Sequence, residues 1–166
     1  MVMARCAKSI LLVGDQQQIH QPSQAKHNWG AGLSTLEYWL NEQKIVSNDL
    51  GIFLTKSWRM HPKITEIVSD LFYEGKLNGS KENSVNQIFW GNTFKSNTGK
   101  IIPNNGVHFE MVSHERNSQE SQIEIQKIRE IIDSLTNSEF QYLSDGKIKK
   151  GKITREEIIV MAPYNK

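Results

Sequence analysis

The chain has 166 residues, 37% of them apolar, and a formal charge of +2. That length suits about one ordinary domain. The near-neutral balance excludes a chain that binds nucleic acid by bulk charge alone, so any such role must rest on particular residues. A single cysteine, Cys6, excludes an internal disulfide and fits a reducing compartment.

In chain order, Ser9–Val13 is a short apolar run closed by Gly14-Asp15, the pattern of a buried parallel strand ending in a functional loop. Residues 16–30 are polar and read as loop. Ser34 is placed to cap a helix starting near Thr35, with Glu37 at the capping-box position and Leu33, Leu36 and Leu40 on one face. Ile52-Phe53-Leu54 reads as a second strand. Pro62 opens a helix, a favoured first-turn position, and Ile64, Ile67, Val68, Leu71 and Phe72 follow at helical spacing up to Tyr73-Glu74-Gly75. Residues 78–106 are rich in Asn, Ser, Gly and Lys and are expected to form loops, with a hairpin as one option. Val107–Val112 alternates weakly, as a strand does. Ser118–Leu135 carries the clearest helical stripe, Ile125, Ile128, Ile132 and Leu135. Residues 137–153 form a polar excursion around Asp145-Gly146, a hairpin-turn pair. Glu157–Ala162 reads as the last strand.

The alternation of strands and helices predicts an α/β fold with a mainly parallel sheet and flanking helices. Ligands of such sheets sit at the carboxyl ends of strands, where Gly14-Asp15 and Pro163-Tyr164 both fall. The chain opens and closes on core-type strands, so it is expected to be a segment of something longer. Neither apolar run reaches the length needed to cross a bilayer, and the first residues lack the apolar stretch of a signal peptide. The expectation is a cytoplasmic protein with no membrane partner.

Three segments carry chemistry. Gly14-Asp15-Gln16-Gln17-Gln18-Ile19 places a close-approach glycine, a carboxylate and amides together, a set suited to a phosphate, a metal or an attacking water. Such pairs are also common in turns. Ser57-Trp58-Arg59-Met60-His61-Pro62 sets an arginine between a strand and a helix, where it can neutralise phosphate charge or simply stack on Trp58. Ala162-Pro163-Tyr164-Asn165 ends a strand with an aromatic able to stack on a nucleobase or to pack as an ordinary half-buried tyrosine. His20, His27, His61, His108 and His114 have no partner cysteines at zinc spacing, and no metal site is expected. Lys147–Lys152 holds four lysines around Gly151, read as a solvated turn with a phosphate contact as the alternative.

Together the three segments resemble superfamily 1B helicases, the group of Upf-type RNA helicases and replication helicase-nucleases. The family's Gly-Asp-x-x-Gln-Leu is matched by Gly14, Asp15, Gln18 and Ile19, its Tyr-Arg-Met-His-Pro by Arg59–Pro62 with Trp58 in place of the tyrosine, and its Phe-Tyr-Glu-Gly-x-Leu by Phe72–Leu77. Pro163-Tyr164-Asn165 matches the family's strand exit. A narrower likeness, through Pro22–His27, Gly30-Ala31-Gly32 and Thr55–Arg59, is to bacterial proteins that join a RecB-like nuclease to such a helicase. The resemblance implies an incomplete RecA-like fold of the P-loop NTPase type. Residues 1–45 would end one RecA-like domain, and 46–166 would begin the next, with polar insertions near 78–106 and 137–153. It implies catalytic roles for Gln18 and Arg59, nucleotide binding by Gly14, Asp15, Gln18, Trp58 and Arg59, and nucleic-acid contact by Pro163 and Tyr164. ATP and magnesium would serve the parent enzyme. No Gly-x-x-x-x-Gly-Lys-[Ser/Thr] occurs, so neither is expected on this chain alone. The implied partners are single-stranded DNA or RNA and the remainder of the helicase, with self-association through exposed sheet edges as a further expectation. A non-catalytic nucleic-acid-binding module and an inert gene remnant stay open as alternatives.

Overall fold

The computed structural model describes residues 6–18, 32–41, 43–90, 96, 102–113 and 120–162. They form two compact units, Met1–Thr55 with Glu66–Asn78, and Lys56–Thr65 with Gly79–Lys166.

The first helix, α1 (Thr35–Leu40), starts as expected. Ser34 Oγ accepts from the Glu37 N–H at 3.2 Å, and Glu37 Oε2 accepts from the Ser34 N–H at 2.7 Å, a complete capping box. The helix stops after six residues because Asn41 turns left-handed, with φ 45°. Strand β1 (Lys56–Ser57) and strand β2 (Asn78–Gly79) flank helix α2 (Pro62–Phe72). Asn78 N–H donates to Thr55 O at 2.7 Å, and Ser80 N–H donates to Ser57 O at 2.8 Å. Both partners advance in the same direction, so the strands are parallel and α2 is their crossover.

Helix α2 begins on His61. The carbonyl of His61 accepts from the N–H groups of Ile64 and Thr65, and its ring Nδ1 accepts from the Lys63 N–H at 3.1 Å. Pro62, which has no N–H, costs nothing at the first turn. The helix faces are not those the apolar spacing predicts. Thr65 and Ser69 are 0% and 2% exposed, whereas Ile67, Leu71 and Phe72 are largely exposed. The polar pair is buried because each hydroxyl is satisfied: Thr65 Oγ1 donates to His61 O, and Ser69 Oγ accepts from the Leu77 N–H.

The larger sheet is antiparallel, in the order β3 (Gln87–Phe89), β4 (Glu139–Ser144), β5 (Lys147–Lys152). Asp145 and Gly146, at φ 52° and 71°, make the two-residue turn predicted between β4 and β5. Helix α3 spans Gln122–Leu135, capped by Ser121, whose Oγ accepts from the Glu124 N–H. Its start therefore lies later than the expected Ser118, a residue outside those described. None of its residues is fully buried.

The mixed α/β class holds, but the expected main parallel sheet is not what the described residues form. Ser9–Val13, Ile52–Leu54, Val107–Val112 and Glu157–Ala162 belong to no strand. Leu11 and Val13 are 87% and 88% exposed, and Ile52, Phe109 and Met161 are similarly open. An apolar run becomes a buried strand only when a neighbour completes its ladder, and among the described residues these four runs have none. The core is correspondingly small: Leu40, Ile45, Ile102 and Ile153 are its buried apolar residues among those described. No helix of the described residues is long and apolar enough to cross a membrane.

Candidate nucleotide-sensing residues

In the first unit, the Gly14–Gln18 loop is organised by one carboxylate. Asp15 Oδ1 accepts from the Gln17 N–H at 3.0 Å. Asp15 Oδ2 accepts from Gln18 Nε2 at 3.2 Å and from the Tyr73 hydroxyl at 2.5 Å. The Gln18 N–H donates to Asp15 O at 3.3 Å, closing a turn. Gln16 points elsewhere, its Nε2 donating to Lys44 O at 2.6 Å. Lys44 Nζ in turn donates to Leu71 O at 3.1 Å. Among the described residues an added Cβ at Gly14 would meet only Leu36 Cδ2, at an ordinary 3.6 Å, so their packing does not demand glycine there.

Tyr73 follows the end of α2 and is held on two sides. Its ring lies against Phe53, with centroids 5.9 Å apart. Its hydroxyl reaches Asp15. Burial, the hydrogen bond to Asp15 and the charge of that carboxylate push its pKa up to about 12, in that order of importance. The turn that follows is built on Ser69: the N–H groups of Tyr73 and Gly75 both donate to Ser69 O, at 2.8 and 3.0 Å. Glu74 and Gly75 take positive φ, 52° and 71°. The Phe-Tyr-Glu-Gly-x-Leu segment thus closes a helix, reverses the chain and delivers one hydroxyl to Asp15.

In the second unit, Trp58 and Arg59 are both exposed. The cation over the Trp58 ring is Lys56 Nζ, 3.7 Å from its centroid, and not Arg59. Arg59 makes no hydrogen bond or ion pair among the described residues. The backbone on either side of it is held: Asn83 Nδ2 donates to Trp58 O at 2.6 Å and to Met60 O at 3.4 Å. Asn83 is itself buried in a 3-10 turn, Lys81–Val85.

Gly14, Asp15 and Gln18 therefore come together with Tyr73, and Trp58 and Arg59 sit on one loop braced by Asn83. Pro163 and Tyr164 lie outside the described residues, as does Ile19. Tyr73 and Lys56 lie in quoted motifs that give them no site role, and no motif includes Asn83. A lone asparagine in a polar stretch carries no signal for a partner 25 residues away.

The residues present do not by themselves fit a nucleotide and its magnesium. Asp15 already takes three donors, and no cluster of three His, Cys, Asp or Glu among the described residues could hold a metal. His108 is instead 2.8 Å from Glu110, and His61 caps α2.

The family described as AAA domain matches residues 34–166, and the chain belongs to it. The Gly14–Gln18 loop precedes the matched range. Over 71 residues the chain is also 37% identical to the ATP-dependent helicase upf1 of Schizosaccharomyces pombe. That stretch is 43% of this chain and 7% of the relative, so the chain spans a small part of that protein's length. No solved structure matches at a significant level.

Proposed function

We propose that this chain is part of a Upf1-like superfamily 1 helicase, a RecA-like segment that couples ATP hydrolysis to movement along a nucleic-acid single strand. The observation that carries it is the Tyr73–Asp15 hydrogen bond, which joins two segments that resemble helicase motifs, Gly14–Gln18 and Phe72–Leu77. In this reading Asp15 holds the loop, and Gln18 meets the γ-phosphate or its attacking water. Arg59 is the arginine finger, Trp58 flanks the nucleotide, and Pro163 and Tyr164 touch the strand. The exposure and unpaired charge of Arg59 support its part, since a finger must be free to reach phosphate charge supplied from elsewhere.

The phosphate cradle, its lysine and the magnesium site would come from other parts of the helicase. Sequencing the DNA on both sides of this coding segment tests this: the reading requires a Gly-x-x-x-x-Gly-Lys-[Ser/Thr] segment upstream in the same frame. Its absence would remove the helicase reading. Turnover of ATP by the isolated chain, abolished by Arg59→Ala, would overturn the assignment of the catalytic parts to other segments.

The three donors already on Asp15 favour one second reading, a non-catalytic nucleic-acid-binding module derived from such a helicase. It requires stop codons on both sides and binding of single strands by the chain alone.

A further inference from the structure

We propose that one face of the β4–β5 hairpin is an auxiliary binding surface for single-stranded nucleic acid, with Tyr142 as the base platform and Lys147 and Lys149 as the phosphate contacts. Side chains directly opposite in an antiparallel pair share a face. The pairs Phe140–Gly151, Tyr142–Lys149 and Ser144–Lys147 therefore put two aromatics and two ammonium groups on one side of the hairpin. The other two lysines, Lys150 and Lys152, share the opposite face with Gln141 and Glu139.

The aromatic half of the face is built. The rings of Phe140 and Tyr142 lie within 20° of parallel, with centroids 5.7 Å apart. Phe140 sits over Gly151, where an added Cβ would come within 3.0 Å of the ring, so a larger residue there would displace it. Phe140 is half-buried beneath this arrangement, and Tyr142 remains exposed beside Lys149. Lys149 Nζ is held at 3.0 Å from Ser144 Oγ and lies 3.7 Å from Asp145 Oδ2 at the turn. The Lys147 side chain is exposed and makes no hydrogen bond or ion pair among the described residues.

Lysines on an edge strand ordinarily serve to block pairing with another sheet, and β5 is such an edge among the described residues. Edge protection asks nothing of the face on which the lysines lie. A cation row next to a near-parallel aromatic pair with one ring exposed suits a sequence-tolerant single-strand surface, because every base has a face to stack and every nucleotide a phosphate. The choice of nucleic acid over another polyanion rests on the helicase reading, and the face itself does not.

The test uses the full 166-residue chain and a labelled oligo-dT strand, titrated by fluorescence anisotropy at several salt concentrations. The expected result is salt-dependent binding. Lys147→Gln with Lys149→Gln should reduce the slope of log affinity against log salt by about 1.4, at roughly 0.7 per phosphate lost. Tyr142→Ala should weaken binding about 5- to 100-fold with the slope unchanged, and Tyr142→Phe should restore it. Tyr142→Ala should leave binding of heparin, a polyanion without bases, unaltered. Lys150→Gln with Lys152→Gln should change the slope far less than the Lys147, Lys149 pair. Circular dichroism of each variant establishes that the hairpin is folded. No binding by the folded chain, equal losses from the two lysine pairs, or a folded Tyr142→Ala variant that binds oligo-dT normally would each overturn the proposal. None of these outcomes bears on the helicase reading, which is decided by the upstream segment and by ATP turnover.

Discussion

The Tyr73 hydroxyl donates to Asp15 Oδ2 at 2.5 Å across 58 residues of sequence. Of the three donors on that carboxylate, Tyr73 alone comes from outside the loop, since Gln17 and Gln18 are Asp15's near neighbours. Local bonds shape the loop, and Tyr73 ties it to the end of α2.

Tyr73→Phe keeps the ring against Phe53 and removes the donor. Hydrogen bonds to charged groups are worth more than neutral ones, but this one is partly open to water, so a loss of about 1 kcal/mol in unfolding free energy is expected by urea denaturation. Faster amide exchange should be confined first to residues 14–18.

Tyr73 also has a pH signature, set first by its burial and then by the bond to Asp15. Tyr73 is raised to about 12 in the folded chain, above the ordinary value of about 10. Folding thus favours its protonated form. The associated stability is fully present below pH 10 and is lost as pH rises from about 10 through 12. Titration of tyrosinate by ultraviolet absorbance should show a step near 12, and Tyr73→Phe should remove that step.

His61 is expected to matter through helix capping. His61→Ala should cost about 1 kcal/mol or more, because the Lys63 N–H loses its acceptor and a buried ring leaves a gap. Asparagine is a good N-cap, so His61→Asn should recover part of the loss in thermal unfolding.

Arg59→Ala separates function from folding. The side chain is exposed and unpaired among the described residues, so stability should change by less than about 0.5 kcal/mol. On the proposed arginine-finger role, the same change in a helicase that contains this segment should lower ATP turnover roughly a thousandfold.

What could be read in advance was local. Ser34 and Glu37 announce α1 because a capping box is complete within four residues. His61-Pro62 announces α2, and Asp145-Gly146 announces the hairpin, because a first-turn proline and a positive-φ pair are backbone rules independent of tertiary context. The apolar runs misled for the opposite reason. Leu11, Val13, Ile52 and Phe109 have strand character, but a strand is a property of two segments, and no second segment among the described residues pairs with these. The stripe on α2 misled similarly, since Thr65 and Ser69 became buriable only once His61 O and the Leu77 N–H supplied their partners. At the candidate site, motif order singles out Asp15, Gln18 and Arg59 without saying what holds them. The bonds that set them, Tyr73 to Asp15 and Asn83 to Trp58, join distant positions and leave no periodicity to detect.

The Asn83 brace has an entropic consequence. Ordering the backbone of one residue costs about 1–2 kcal/mol. With the carbonyls of Trp58 and Met60 both anchored, most of that cost is met at Arg59 when the chain folds and would not recur in the phosphate contact proposed for its guanidinium. Only side-chain freedom remains to be lost in that encounter. Asn83→Ala, which touches no ligand, should therefore weaken the arginine's effect without altering its chemistry.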